Sequence, residues 1–137
     1  MLGGVDLGAE AWSPAYVRGS EPELRSLIEN LVDNALRYAP AQSPVTVSVR
    51  QAEDVRLAVT DAGPGIPVAE RERVFERFHR VPGDATAGSG LGLSIAKAIV
   101  ERHHGIIALD EPSPGSPGLA VRVVLPAAAP ARELRVA

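Results

Sequence analysis

The sequence predicts an α+β domain, a sheet with helices packed on one face. Three observations point there: an amphipathic helix early in the chain, a pair of valine-rich stretches that alternate in polarity, and no regular strand-helix-strand alternation. With 137 residues, 45% of them hydrophobic, the chain suffices for one core and falls short of two, so 1–137 is read as one domain.

Residues 1–19 mix Gly, Ala, Trp12 and Pro14 without a sustained period, and at most the stretch around Tyr16-Val17 reads as a short strand. From Ser20 the pattern changes. Ser20 and Glu23 have capping-box spacing, Pro22 sits in the first turn, and Leu24, Leu27, Ile28, Leu31 and Ala35 recur at helical intervals up to Ala39-Pro40. Val45, Val47 and Val49 then alternate with polar residues, as do Val55, Leu57 and Val59 after Gln51-Ala52-Glu53, which predicts two antiparallel strands. Asp61 to Pro67 is a breaker-rich loop. A charged helix is expected next, with Val74, Phe75 and Phe78 on one face, and then a loop over roughly Arg80 to Ser89. Another helix should begin near Gly90-Leu91-Gly92 and run to about His103, burying Leu93, Ala96, Ile99 and Val100, with Gly105 closing it. Strands near 106–110 and 119–125 complete the plan, joined by a Pro/Gly-rich connection, and the tail from 127 is expected to fray.

Composition narrows the function. The formal charge of −3 offers no basic stripe for a nucleic acid backbone, and 4% aromatic residues disfavour a base-stacking surface, so no nucleic acid partner is expected. No cysteine is present, which removes disulfides and thiolate metal sites, and the apolar runs fall short of the ~20 residues of a membrane span. Met1-Leu2-Gly3-Gly4 lacks the features of a secretory signal. A cytoplasmic chain without membrane contact is the expectation.

On the first helix, Asn30, Asn34 and Arg37 cluster on a flank of the apolar stripe, while Arg25, Glu29 and Asp33 point the other way. Carboxamide oxygens are hard ligands suited to Mg²⁺, and a guanidinium suits phosphate oxygens. On the helix alone, the asparagines serve equally as hydrogen-bonding partners for neighbouring loops. In Asp61-Ala62-Gly63-Pro64-Gly65, the glycines permit close backbone approach, and a strand-end carboxylate is placed to accept from an exocyclic amine such as adenine's. The same pattern is also an ordinary tight turn. Gly88-Ser89-Gly90-Leu91-Gly92-Leu93 opens a helix whose free N–H groups form a phosphate cradle; no Lys-Ser/Thr pair follows it, so it is not a P-loop.

Order and spacing unite these signals. Glu29-Asn30-Leu31-Val32-Asp33-Asn34-Ala35-Leu36-Arg37-Tyr38 resembles the N box of histidine kinases, Asp61 to Ile66 the G1 box, Val74 to Phe78 the F box, and Gly88 to Leu93 the G2 box, over about residues 17–126. The resemblance implies the Bergerat fold, with ATP between the helix layer and a lid. It implies that Asn34 ligates Mg²⁺, that Asn30 assists at the metal or phosphates, and that Arg37 approaches the terminal phosphates. Tyr38 would lie beside the nucleotide, Asp61 would bind the adenine amino group, and Gly63, Gly65 and Ile66 would shape that loop. Gly88, Ser89, Gly90, Leu91, Gly92 and Leu93 would meet the phosphates, with Arg80 as a further lid contact.

The resemblance also implies an activity: donation of the γ-phosphoryl to a histidine on a separate dimerisation domain, in partnership with a response regulator, neither of them in this chain. Hydrolysing members of the wider superfamily carry a glutamate base where this chain has Asn30, and an amide accepts no proton at neutral pH. Glu29 is adjacent but rotated ~100° toward solvent. His79, His103 and His104 are the only histidines and none sits in the family's acceptor pattern, so self-phosphorylation is not expected; they read as surface or helix-end residues. Only about twenty residues precede Ser20, where the family usually has a further strand and helix. A shortened sheet or helix layer is therefore expected, with self-association to cover any exposed face. The competing reading is a stand-alone ATP-binding regulator that controls a protein partner without phosphoryl transfer.

Overall fold

The computed structural model describes residues 6–12, 15–77 and 91–128. Five strands, β1 (Asp6–Trp12), β2 (Pro44–Gln51), β3 (Asp54–Asp61), β4 (Ile106–Asp110) and β5 (Leu119–Pro126), form one sheet in the order β1-β2-β3-β5-β4. Helices α1 (Glu21–Tyr38) and α2 (Gly92–Arg102) pack on one face of it. β1 runs parallel to β2 and reaches it through α1; the other pairs are antiparallel.

Period-two patterning sets the register. Val47 pairs Val59, Val59 pairs Val121, and Val121 pairs Leu109, so one apolar row crosses four strands beneath the helices. On the opposite face Arg50 pairs Arg56 and Ala58 pairs Arg122, and these positions are polar or small where no layer among the described residues covers them. From above, α1 contributes buried Leu27, Leu31 and Ala35, and α2 contributes Leu93, Ala96, Ile99 and Val100. Each fully buried leucine stabilises the fold by about 1.5–3 kcal/mol relative to exposure.

α1 starts where its cap predicts, with Ser20 Oγ accepting from the Glu23 N–H at 3.3 Å. The reciprocal half of the capping box does not form. Glu23 instead meets Arg102 Nε at 3.0 Å, and the Ser20 N–H donates to His103 Nε2 at 3.1 Å. The ring proton then sits on Nδ1, which donates to the Ile99 carbonyl at 2.8 Å. One buried imidazole thus joins the first turn of α1 to the last turn of α2, which fixes the helices antiparallel. His103 is a helix-end residue as expected, but it is buried.

Four expectations are corrected. The strand lies at Asp6–Trp12 and not at Tyr16-Val17, so one strand-helix-strand unit exists and the sheet has its extra strand; no helix precedes α1 among the described residues. Tyr16 instead donates its N–H to Gln51 Oε1 and accepts from the Ala128 N–H, a tie outside any ladder. The charged helix after the first glycine loop is two 3-10 turns, Val68–Glu70 and Arg73–Phe75. Val68 is 76% exposed and only Val74 is buried there, too little apolar stripe to hold a longer helix. Finally, α2 is closed by His104, not Gly105. His104 takes the left-handed conformation (φ 61), and the His104 and Gly105 N–H groups return to the carbonyls of Glu101 and Val100. Gly105 is needed for space, since a methyl group there would lie 2.5 Å from the Val124 carbonyl oxygen.

Candidate functional site

Two contacts bring the sequence-selected residues together. The first joins the helices. Asn30 is half-buried on the flank of α1 that faces α2, and its Nδ2 donates to the Ser26 carbonyl at 2.8 Å and to Ser26 Oγ at 3.2 Å. Its Oδ1 points away from Ser26 toward Gly92, where a methyl group would stand 3.6 Å from it. Gly92 opens α2, and Leu91 before it is half-buried, with its carbonyl accepting from Ser94 Oγ and the Ile95 N–H. The amide oxygen of Asn30 therefore faces a helix mouth, while Leu93 is buried in the core.

The second contact joins the end of α1 to the loop after β3. Asp61 is buried at 6% exposure, and its Oδ1 accepts from the Gly63 N–H at 2.8 Å. Burial pushes its carboxyl above the ordinary aspartate value of 3.8, and hydrogen bonds from the Gly63 and Leu119 N–H groups pull partly back. Gly63 abuts the Tyr38 carbonyl so closely that a methyl group would lie 2.6 Å from it, which seats the loop on the last turn of α1. Gly65 takes a left-handed φ of 74, and Ile66 packs half-buried on the core while its carbonyl accepts from Arg71 Nε at 2.9 Å. Asn34 is half-buried and Arg37 exposed on the turns of α1 between the two contacts.

Arg80, Gly88, Ser89 and Gly90, together with Phe78 and His79, lie outside the described residues. The remaining sequence-selected residues line one end of the helix pair and the loop beneath it. An open groove at the opposite end, lined by Arg18, Glu23, Arg102 and His103, shares none of them.

Several supporting residues were not singled out from sequence. Gly118, in the β4–β5 connection, has φ 111 and no room for a side chain beside the Asp61 carbonyl; its own carbonyl in turn excludes any side chain at Gly65. Ser26 holds the Asn30 amide. Lys97 lies over the Phe75 ring at 5.3 Å and ties the second 3-10 turn to α2. Gly118 stood in a breaker-rich stretch that looked like an ordinary connection, whereas Ser26 carried a usable signal, four positions before Asn30 on the same flank.

The family described as histidine kinase-, DNA gyrase B-, and HSP90-like ATPase matches residues 19–129. Sensor protein kinase PmrB of Pseudomonas aeruginosa is 44% identical over 117 residues, which is 84% of this chain and 24% of that protein. The chain thus spans about a quarter of that relative's length. Among solved structures, the mycobacterial sensor histidine kinase MprB superposes with a TM-score of 0.82 at 37% identity, covering 90% of this chain and 84% of that one. Full-length ShkA in complex with AMPPNP superposes with a TM-score of 0.77 at 27% identity, covering 93% and 27%. The fold is the Bergerat fold of histidine kinase catalytic domains. The chain belongs to the histidine kinase-, DNA gyrase B-, and HSP90-like ATPase family, as a histidine kinase-type ATP-binding domain.

Proposed function

We propose that the chain binds Mg-ATP between α1, the Asp61 loop and the start of α2, and presents the γ-phosphoryl to a histidine on a separate dimerisation domain. The carrying observation is the Asn30 oxygen, freed by Ser26 and aimed at the glycine that opens α2. The AMPPNP held by ShkA supports the nucleotide class. The donors fit the ion: Asn30 and Asn34 offer neutral oxygens at i and i+4 on one flank, a hard donor set suited to Mg²⁺. When bound, the metal would neutralise charge on the phosphate oxygens.

Each residue of the chain has a share in positioning. Asn34 and Asn30 hold the cation, Arg37 reaches the terminal phosphate, and Tyr38 borders the nucleotide. Asp61 accepts from the adenine amino group with its carboxylate, and Gly63, Gly65 and Ile66 keep that loop in place. Leu91, Gly92 and Leu93 carry the described part of the phosphate-facing helix mouth; Gly88, Ser89, Gly90 and Arg80 complete it by resemblance. No side chain here is a general base, since an amide stands at Asn30 and the Glu29 side of α1 is exposed. Catalysis is orientation and charge neutralisation, and the base is supplied beside the acceptor histidine. The response regulator is a later partner, and use of ATP fits a cytoplasmic location for this one domain.

Labelled ATP with the chain alone should give no phosphohistidine, and adding a cognate dimerisation domain should give it. A chain that binds Mg-ATP but never phosphorylates that domain would instead be an ATP-gated regulator. Asn34→Ala should weaken Mg-ATP binding by about tenfold or more, the scale of losing a charge-assisted contact, as read by calorimetry.

A further inference from the structure

Asn30 is ambiguous as a site residue. A carboxamide presents an acceptor at one corner and two donors at the other, and beside a metal-triphosphate both are usable: the oxygen toward a cation, the NH₂ toward phosphate. The hydrogen bonds of Asn30 remove the ambiguity. The atom 2.8 Å from the Ser26 carbonyl must be the nitrogen, because that carbonyl only accepts. Its second N–H is taken by Ser26 Oγ at 3.2 Å, so both donors are spent on one residue and the amide is held at two points. What remains facing Gly92 is oxygen alone.

We propose that Ser26 is a positioning residue for the metal site: by holding both N–H groups of Asn30, it makes that amide a cation ligand and prevents it from acting as a phosphate donor. The proposal rests on the reading of the site as a Mg-ATP site. Ser26, Asn30 and Asn34 stand at i, i+4 and i+8 on one flank of α1, so the serine acts from behind the ligand pair and does not face the nucleotide. Without the hydroxyl, one N–H of Asn30 is released and the amide can turn about its last bond. The cation then loses a fixed oxygen, whereas bare ATP loses nothing.

Calorimetric titration of the full 137-residue chain with Mg-ATP, and with ATP in excess EDTA, separates the possibilities. Ser26→Ala should weaken Mg-ATP binding about three- to tenfold, the scale of one hydrogen bond, and leave metal-free ATP binding unchanged. Ser26→Thr keeps the hydroxyl and should match wild type, and Ser26→Cys, a weaker acceptor, should fall between. Thermal melting guards against a folding artefact: alanine is the better helix former, so Ser26→Ala should melt no lower than wild type. In the wild type the Asn30 side-chain amide protons should exchange slowly, and in Ser26→Ala faster. Equal loss of both nucleotide forms in Ser26→Ala, or no loss of either, overturns the role of Ser26. A wild-type chain that does not prefer Mg-ATP to metal-free ATP overturns the site itself, and the proposal with it.

Discussion

Asp61 sits where desolvation opposes its charge, and its sign of linkage follows. Its folded value lies above the ordinary 3.8, so the folded state binds the proton more tightly than the unfolded chain. Its contribution to stability is therefore fully present below that ordinary value and is lost as pH rises through the higher folded one. Asp61→Asn should be no less stable than wild type at pH 7 and should lose that part of the acid-limb dependence in denaturant titrations. It should also narrow the preference for Mg-ATP over Mg-GTP by about tenfold or more, the range of a hydrogen bond to a charged group. At this scale the sequence was readable wherever a residue type is unusual in its setting, as with asparagines on a helix interior or an aspartate closing a valine strand. For Ser26 it showed only the spacing, four positions before Asn30, and not which way the neighbouring amide turns.

Among the elements, strands and helices were legible to the extent that each supplies its own pattern. β2 and β3 alternate in sequence and bury Val45, Val47, Val55, Leu57 and Val59, with Val49 half-buried. β1 reads Asp-Leu-Gly-Ala-Glu-Ala-Trp, with a glycine and two acids, and owes its extended form to the ladder with β2 rather than to propensity. The 3-10 turns were misread because Val74, Phe75 and Phe78 fit a helical face on paper, although the preceding turn has nothing to bury. The end of α2 was misread because glycine is the usual left-handed residue, while here His104 bears that strain and Gly105 makes room for β5. His104→Gly should accordingly raise stability by about 1 kcal/mol, measured by chemical denaturation, since the left-handed cost disappears and the exposed side chain leaves no gap. Gly105→Ala should do the opposite.

Across the whole molecule, the helices have separate duties at their two ends. At one, Glu23, Arg102, Ser20 and His103 lock α1 to α2. At the other, Asn30 and Gly92 face each other, and the Asp61 loop sits on the last turn of α1. The N-terminal strand removes the expected deficit in the sheet. Among the described residues no helix is long and apolar enough to cross a membrane. The Asp61 loop itself depends on a remote stretch of chain. Gly118 wedges beneath the Asp61 carbonyl, and Gly118→Ala should therefore impair adenine recognition and also cost about 1–3 kcal/mol in strained backbone, visible as a lowered melting midpoint together with weaker Mg-ATP binding.

That wedge has a bearing on how such a domain can diversify. Glu111 to Pro117 form a largely solvent-facing hairpin tip, while the residue that follows them acts as a shim against the Asp61 backbone carbonyl. The tip can be lengthened, shortened or recoloured in charge to suit new neighbours as long as its last position stays bare. The surface it offers to other proteins and the loop it props up can then change independently.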